Sequence, residues 1–442
     1  MFMGDTEDIL YMAFNYPTNL SNTVLLPKEG VYLTNHHPVL YTVFIGSLIK
    51  IFSNLGFTEN FAIFICALLQ CILSAATLSY ACVYCARELK RYKIAFCAIL
   101  FFILCPWISK YVIMISKDTV FADFVLLYAI CLHKAIREPN AKKSIKSVFM
   151  TAIMVCLFRK NGLYIVLLSL LAVCILCRRR CKKWIVCIGL ILIFHIGYSN
   201  VALPALGIAE GSAREALSIP FQQTARYVQR HKEEVTETEK EAIDAVLQYD
   251  ALATCYNPDL SDSVKGTYRI EASLKELMDY FEVWFFMLLK HPETYISATV
   301  NNYYGYFYPI VNNIQKIYNT SVGSMRNANR DGYFQFDNLY DQIHIWLRDT
   351  YSFYDMLCMR TPIINVFMTS AFYVWVVMIG CFLKYIRKDK AGFVFMLVYF
   401  VLILTALAGP CNAIDYERYI YPCIVGFPIL IGILFQEKHY ER

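Results

Sequence analysis

Long apolar runs separated by short polar loops dominate the sequence. They cover residues 61–86, 95–115, 119–135, 148–158, 163–177, 184–203, 363–386, 392–408 and 420–435. A helix needs about 20 apolar residues to cross a bilayer, and most of these runs approach that length. The runs are continuous rather than alternating, which is typical of membrane helices. The pattern therefore predicts an all-α polytopic membrane protein with a bundle of about nine to ten helices.

Composition supports this class. Hydrophobic residues make up 58% of the chain and charged residues only 17%, whereas soluble proteins carry about 25% charged residues. Most of the 17 cysteines lie inside apolar runs, where they act as small packing residues rather than as disulfides or zinc ligands. The net charge of +6 comes from basic loops between apolar runs, so it indicates membrane topology and not nucleic-acid binding.

The basic residues predict the orientation. Loops at 87–93, 137–146, 178–183 and 384–390, together with the tail, hold nearly half of the 41 lysines and arginines. Cytoplasmic loops are enriched in these residues, so the alternate loops are predicted to be external. We therefore expect an integral plasma-membrane protein, multi-pass, with its active face outside.

The same pattern divides the chain into four parts. Residues 1–60 form an external first loop and a juxtamembrane helix, and residues 61–203 form an N-terminal transmembrane bundle. Residues 204–362 form an external segment, and residues 363–442 form a C-terminal transmembrane bundle. The run at 39–57 should lie along the outer surface, because crossing would reverse every later loop. An external N-terminus predicts either a further transmembrane helix upstream of this sequence, which we favour, or a translocated N-terminal tail.

The external segment reads as surface helices rather than as one domain with a large core. Thr236 and Glu239 have the spacing of a capping box. Apolar residues at helical spacing over 274–288 predict an amphipathic helix lying on the membrane. Tyrosines at 303–308 favour an interfacial aromatic belt over a platform for sugar stacking.

Polar residues in the short external loops are the candidates for chemistry. They are Asp5, Asp8, His36, His37, Lys117, Asp118, Arg159, Lys160, Glu417 and Arg418. Cations bind phosphate, and a carboxylate can take a proton from a hydroxyl. Structural alternatives stay open: Asp118 could cap a helix starting at Thr119, and Arg159 with Lys160 could form an ordinary turn between helices.

The order of these features resembles the GT-C superfamily of membrane glycosyltransferases. The resemblance rests on short motifs: Gly4, Asp5 and Thr6, then His37 and Pro38, then the basic end of a span at Arg87. Ser116 to Asp118 looks like the second external loop of that superfamily, and Arg159 to Gly162 like its polar break. Arg418, Tyr419 and Pro422 are similar to its late Arg-Tyr-x-x-Pro entry. In layout the chain is closest to a group of uncharacterised bacterial membrane proteins.

This resemblance implies a sugar transferase that uses a polyprenyl-phosphate-linked donor. Asp5 or Asp8 would be the catalytic base, and Lys117, Arg159 and Arg418 would hold the phosphate. His36, His37, Asp118 and Lys160 would also contact the substrate. A divalent metal between Asp5 and Asp118 is compatible with this layout but is not required. The acceptor would be a glycan, a lipid or a protein. The chain departs from this superfamily in two ways. The expected first span is absent, and the external segment is smaller than the soluble domain that many such enzymes carry.

Two other functions remain open on sequence. A polymerase or ligase of lipid-linked glycans would rely on external arginines without an essential acid in the first loop. A non-enzymatic transporter would carry ionisable residues within its spans, and His195 is the candidate for such a residue.

Overall fold

The computed structural model describes residues 5–138, 142–178, 181–309, 329, 331–336, 342–409, 413 and 416–436. Four of its helices are long and apolar enough to cross a membrane, and a bent pair raises the number to five. Five shorter apolar helices accompany them in the described residues. This confirms the predicted helical class. Gly4, Arg179, Arg180, Lys438 and Arg442, used in the sequence argument, lie outside the described residues.

The N-terminal half begins with a short helix and continues into the first bundle. Its helices are α1 (Thr6–Ala13), α2 (Val39–Asn54), α3 (Glu59–Arg87), α4 (Tyr92–Leu104), α5 (Pro106–Ile113), α6 (Lys117–Arg137), α7 (Lys142–Phe158), α8 (Gly162–Leu176) and α9 (Cys181–Gly197). Cys105 separates α4 from α5, which are bent by 61°. Pro106 explains the break, since proline is tolerated in a first helical turn but not inside a helix.

The middle of the chain is a run of shorter helices. They are α10 (Leu203–Ala205), α11 (Ser218–Arg230), α12 (Glu237–Val246), α13 (Tyr249–Cys255), α14 (Asp262–Lys265), α15 (Leu274–Lys290) and α16 (Pro292–Tyr303). The predicted capping box of Thr236 and Glu239 is confirmed at the start of α12, and Ser273 with Glu276 forms a second one at α15.

The C-terminal part returns to the bundle. It consists of α17 (Gln342–Arg360), α18 (Pro362–Val366), α19 (Ser370–Ile386), α20 (Lys390–Leu407), α21 (Tyr416–Tyr419) and α22 (Tyr421–Leu434). Two strands of two residues each, β1 (Thr34–Asn35) and β2 (Ala209–Glu210), pair in parallel. They join the first loop to the start of the middle segment.

Helix α6 lies at the centre of the bundle. It packs against α3, α7, α20 and α22, and it is the most buried of the four long apolar helices. Its 21 residues span about 30 Å. Basic residues Lys134 and Arg137 lie in its last turn, where Lys134 pairs with Glu88 at 3.0 Å. Its N-terminal end, on the opposite side, carries Lys117 and Asp118.

Helices α2 and α3 extend past the N-terminal end of α6. Ser74 and Tyr84 of α3 contact Asp123 and His133 of α6, so the later part of α3 runs beside α6. Tyr41 of α2 donates to Gln70 of α3 at 3.1 Å, and this pair lies before that stretch. The start of helix α2 thus packs on α3 at about the level of the first turn of α6. Its predicted position along the membrane surface stays a prediction.

The middle segment has a hydrophobic core of its own. Phe221 and Tyr227 of α11, Ile243 of α12 and Tyr280 of α15 are among its buried residues. The expectation of surface helices without a large core is therefore wrong. The sequence pattern does not show this core, because its buried residues are spread over α11 to α16 and only packing between these helices brings them together.

Candidate functional site

Six charged or polar side chains meet at the N-terminal end of α6. They are Asp5, His37, Lys117, Asp118, Arg159 and Arg418, which we call the Asp5–Arg418 cluster. They come from five separate segments of the chain: the start of α1, the residue pair before α2, the first turn of α6, the end of α7 and α21. The sequence prediction that these loops share one face is consistent with this convergence.

Arg418 joins two carboxylates in the middle of the cluster. Its Nε donates to Oδ2 of Asp118 at 2.7 Å, and its Nη2 donates to Oδ2 of Asp5. Asp118 is fully buried, and it lies in the first turn of α6, where the helix dipole favours a negative charge. The guanidinium thus lies between the two carboxylates that the sequence analysis considered as possible, but not required, ligands of a divalent metal.

Lys117 and His37 form the second part of the cluster. The Nζ atom of Lys117 lies 2.5 Å from Nδ1 of His37 and 3.1 Å from Oδ2 of Asp5. An ammonium group only donates, so Nδ1 accepts and the imidazole proton resides on Nε2. That Nε2 is buried and has no hydrogen-bond partner among the described residues. The N–H of His37 is therefore a buried donor held in one tautomer.

Arg159 closes the cluster from the side of α7. Its Nη1 lies 3.3 Å from Oδ1 of Asp118. The guanidinium lies over two aromatic rings, 5.6 Å from the centroid of Phe121 and 5.5 Å from that of Tyr419. These cation–π contacts, together with the ion pair, favour an orientation of Arg159 toward the carboxylate.

The pKa values of the two acids at the start of α1, Asp5 and Asp8, are shifted in opposite directions. Burial alone would raise the pKa of Asp5, but the charges of Arg418, Lys117 and His37 hold the pKa of Asp5 well below its usual value. Burial, reinforced by the negative charge of Asp5, raises the pKa of Asp8 to about 7. One turn apart on α1, the two carboxyl groups therefore differ: Asp5 is a permanent anion and Asp8 titrates near neutral pH.

Burial and the charge of Lys117 also lower the pKa of His37 well below its usual value. The same two causes lower the pKa of His36 to about 4. Both imidazoles are therefore neutral at physiological pH. The cluster then holds three cations and two carboxylates, so it carries one positive charge in excess.

A protein family described as a family of unknown function (DUF6020) matches residues 15–442 of the chain. The chain belongs to the DUF6020 family. No curated protein and no solved structure matches it. The matched region of DUF6020 includes His37, Lys117, Asp118, Arg159 and Arg418.

Two predicted site residues of this DUF6020 chain lie beside the cluster rather than in it. Lys160 points away and pairs with Glu210 at 2.6 Å, with both side chains about half exposed. The ring of His36 packs edge-on against that of His37, with 4.9 Å between centroids. Lys160 therefore flanks the site, and His36 supports the ring of His37.

One structural alternative from the sequence is wrong. Asp118 does not cap a helix starting at Thr119. The helix begins at Lys117, and the side chain of Ser116 caps it by accepting from the backbone N–H of Asp118 at 3.1 Å. The carboxylate of Asp118 is thereby left to bind the two arginines.

Two ion pairs at the rim escaped the sequence analysis. Glu210 reaches the site because β2 pairs with β1, and Asn35 donates to it at 3.4 Å. Lys110 of α5 lies 3.7 Å from Glu417 of α21. Nothing in the sequence marks Glu210 among the many acids of the middle segment, because only the strand pairing brings it near.

The tyrosines at 303–308 hold the segment that carries Arg418. Tyr303 donates to the carbonyl of Gly409 at 2.8 Å, and Tyr416 donates to the carbonyl of Asn302 at 2.7 Å. A Cβ at Gly305 would lie 2.0 Å from the ring of Tyr416, so only glycine fits there. Buried Tyr303 and Tyr306 are thus packing residues, whereas Tyr304 and Tyr308 are exposed, and for these two the aromatic belt stays a prediction.

Two ionisable residues within α6 also escaped the sequence analysis. Asp123 and His133 are buried, and each has a hydroxyl partner: Ser74 at 2.6 Å and Tyr84 at 2.5 Å. They are ten positions apart, so about 15 Å of helix separates them. His195, the predicted candidate, is half-buried on α9.

Proposed function

We propose that the protein is a membrane glycosyltransferase that moves a sugar from a polyprenyl-phosphate donor to an acceptor at the outer face. The observation that carries the proposal is the Asp5–Arg418 cluster, with its excess positive charge at the N-terminal end of the central helix. The GT-C-like bundle and the external orientation remain part of this proposal, supported by the shared face of the loops and the basic residues at the other end of α6.

The charge of the cluster matches the donor. A sugar linked through one phosphate to a polyprenol is a diester with one negative charge, which neutralises the one positive charge in excess. The flanking pairs Lys110–Glu417 and Lys160–Glu210 add no net charge. The N-terminal end of α6 adds the positive end of a helix dipole, which favours phosphate binding.

The cations of the cluster stabilise the leaving group. When the bond from the anomeric carbon to the phosphate oxygen breaks, the phosphate leaves with the electron pair and a second negative charge develops. Lys117, Arg159 and Arg418 are already fixed by carboxylates and aromatic rings, so little reorganisation is needed. The buried N–H of His37 donates a further hydrogen bond to a phosphate oxygen.

Asp8 is the general base and Asp5 positions the cations. A carboxylate bound by Arg418 and Lys117 is too weak a base to take a proton from a hydroxyl. Asp8, with a pKa of about 7, is suited to that step at neutral pH. The acceptor oxygen bonds to the anomeric carbon, its proton passes to Asp8, and polyprenyl phosphate is released.

Transport and polymerisation have less support. Asp123 and His133, which a transporter would use, are each satisfied by a hydroxyl and do not form a continuous path. A polymerase or ligase acts on a lipid diphosphate, which carries more negative charge than the cluster can neutralise. The single positive charge in excess therefore favours a monophosphate donor.

Sugar transfer in reconstituted membranes tests the proposal. The purified protein in liposomes would be given radiolabelled sugars on polyprenyl monophosphate or polyprenyl diphosphate carriers, with membrane extracts as the source of acceptor. We expect transfer from a monophosphate donor, lost in Asp8→Asn and Arg418→Gln and retained in Arg269→Gln, an exposed arginine paired with Asp244. Transfer only from diphosphate carriers, or transfer unaffected by Arg418→Gln, would contradict it.

Binding supplies an independent readout. Polyprenyl monophosphate should bind the wild type, and Arg159→Gln and Arg418→Gln should each weaken binding about 10- to 100-fold, as expected for charge-assisted hydrogen bonds. Equal binding by the wild type and both variants would overturn the role of the cluster even if no acceptor were found.

A further inference from the structure

Helix α11 buries several polar side chains in the middle segment, and most of them are paired. Gln223 donates to the hydroxyl of Thr299 at 2.9 Å and accepts from the indole N–H of Trp284 at 3.1 Å. The hydroxyl of Thr224 lies 2.8 Å from that of Tyr280. Each pair is closed inside the segment, so these side chains need no further partner.

Arg226, on the same helix, is a buried cation without a counter-charge. Its side chain is only 6% exposed, and its Nη1 donates to the hydroxyl of Tyr256 at 2.8 Å. Its buried Nε has no partner among the described residues, and none of their carboxylates pairs with it. Burial removes the hydration of a cation, which is costly without compensation. The edge that carries Nε is one that a carboxylate binds with two parallel hydrogen bonds.

Gln222 lies one turn before Arg226 on the same face of α11. It is fully buried, and its Nε2 donates to the backbone carbonyl of Asn257 at 3.0 Å. That bond fixes the orientation of the amide, because only its nitrogen can donate. Its Oε1 is then a buried acceptor with no partner in the described part of the chain. Two unpaired atoms of opposite kind, one donor and one acceptor, are therefore neighbours.

Both side chains lie beneath the turn between α13 and α14, since they bond to Tyr256 and Asn257. Tyr256 is half-buried and Asn257 is exposed, so this turn separates the unpaired atoms from the surface. Further along the turn, the carbonyl of Asp259 accepts from the backbone N–H of Ala413 at 2.8 Å. Ala413 shortly precedes α21, so the turn also contacts the segment that leads into the Asp5–Arg418 cluster.

We propose that Arg226, Gln222 and Tyr256 bind one unit of an acidic glycan, a saccharide chain whose units carry a single negative charge beside hydroxyl groups. The charge pairs with the guanidinium, and a neighbouring hydroxyl donates to Oε1 of Gln222. The hydroxyl of Tyr256 accepts from Arg226 and keeps its own proton to donate to the anion. Sulfate would satisfy Arg226 but has no hydrogen to donate to Gln222.

The bound unit belongs to the acceptor, an assignment that rests on the proposed glycosyltransferase function. Arg226 shares no bond with the Asp5–Arg418 cluster among the described residues, so the unit that it binds is not the one that receives the sugar. The acceptor is therefore a chain, with one unit at Arg226 and another at the cluster. A hexuronate carboxylate and a phosphodiester between sugars both supply the single charge.

Saccharide binding by the full-length protein tests this inference. The protein in nanodiscs would be titrated calorimetrically with tetragalacturonate, with a mannose tetramer joined by phosphodiesters, and with neutral maltotetraose. We expect an acidic tetramer to bind at least tenfold more tightly than maltotetraose, because a charge-assisted pair forms at the guanidinium. The tighter of the two acidic tetramers identifies the anion as carboxylate or phosphodiester.

Two arginine variants separate this site from general attraction between charges. Arg226→Gln should abolish the preference for the acidic tetramer. Arg230→Gln, which removes an exposed arginine one turn later on α11, is the matched control and should keep it. Equal affinity for acidic and neutral tetramers, binding of none, or a preference that survives Arg226→Gln would each overturn the proposal.

Thermal unfolding excludes a purely structural role for Arg226. Without ligand, Arg226→Gln should unfold at the wild-type temperature or above it, because an uncompensated buried charge is removed. A marked fall in its unfolding temperature would show that the arginine stabilises the fold, and this would overturn the proposal.

Lipid-phosphate binding separates this inference from the proposed function. Arg418→Gln should lose polyprenyl monophosphate and keep the acidic tetramer, and Arg226→Gln should show the reverse. If the acidic preference depends on Arg226 but the protein transfers no sugar, the glycan site stands and its acceptor role fails with the proposed function. Sugar transfer with an unchanged KM for the acidic tetramer in Arg226→Gln would overturn the acceptor role alone.

Discussion

Arg418 and Asp118 are 300 positions apart in the chain, yet Nε of Arg418 lies 2.7 Å from Oδ2 of Asp118. The bond connects the entry to the last apolar helix, α22, with the first turn of the central helix, α6. Asp118 is fully buried and also faces Arg159 at 3.3 Å. Arg159 is compensated by this carboxylate, and Arg418 is compensated by it together with Asp5.

Removing the charge of Asp118 should therefore destabilise the protein. Breaking a buried ion pair leaves an uncompensated charge and costs about 3–5 kcal/mol. We expect Asp118→Asn to lower the unfolding temperature in detergent markedly. The matched substitution Asp244→Asn removes an exposed pair with Arg269 at 3.0 Å, which is worth about 0–1 kcal/mol. Similar shifts in both variants would mean that Asp118 is not the centre of the cluster.

His37 should act through Nε2 and not through Nδ1. The amide nitrogen of glutamine can reach the position of Nε2, whereas the shorter asparagine can replace only Nδ1. If Nε2 donates to the donor phosphate, His37→Gln should keep more lipid-phosphate affinity than His37→Asn, by about tenfold. Titration with polyprenyl phosphate measures this. The reverse order would indicate that the contact with Lys117 is the one that matters.

Much of the fold could be predicted because it follows from hydropathy and charge. The helical class depends only on the apolar runs. The convergence of Asp5, Lys117, Arg159 and Arg418 was predicted because alternate loops lie on the same side of a membrane and the basic loops are expected to be cytoplasmic. None of these steps requires knowledge of a contact distant in sequence.

Other features depend on contacts between residues that are distant in the sequence, and these features could not be predicted. Sequence gives no sign that Arg418 binds Asp118 rather than Glu417, its neighbour in the chain. Averaging over a long apolar run hid Asp123 and His133, since one ionisable residue hardly changes the mean hydropathy. Glu210 reaches the site only through pairing of β1 with β2, which are too short to leave a pattern.

The apolar residues of α15 face two different environments, the core of the middle segment and the exposed surface. Leu277 and Phe281 pack on the core of the middle segment, whereas Met278 and Phe285 are exposed. An exposed apolar stripe bordered by charged residues is typical of a helix lying in the membrane interface. We expect it to contact lipid, as the sequence predicts.

Photo-crosslinking would check this contact. A photoreactive phenylalanine analogue at position 278 should label lipid acyl chains in nanodiscs. The same analogue in place of Asp279, the adjacent residue and also exposed, should label them far less. Equal labelling at both positions would show that the stripe does not face the membrane.

Asp5 and Asp8 should affect stability with opposite dependence on pH. The folded-state pKa of Asp5 lies well below its usual value, so its stabilising contribution is present above about pH 4 and is lost as pH falls. The folded-state pKa of Asp8 is about 7, against an ordinary value of 3.8. Its protonated form is therefore favoured in the folded state, and stability falls as pH rises from about 4 through 7.

The variants Asp5→Asn and Asp8→Asn test this opposite dependence of stability on pH. At pH 8, Asp5→Asn should lower the unfolding temperature, whereas Asp8→Asn should raise it, because a costly buried charge is removed. Near pH 4 the effect of Asp8→Asn should vanish. If Asp8 is also the general base, wild-type transfer should rise with pH through about 7, and Asp8→Asn should be inactive although more stable. Loss of stability at pH 8 in Asp8→Asn would show that its carboxylate is paired in the folded protein, which would remove its advantage over Asp5 as the base.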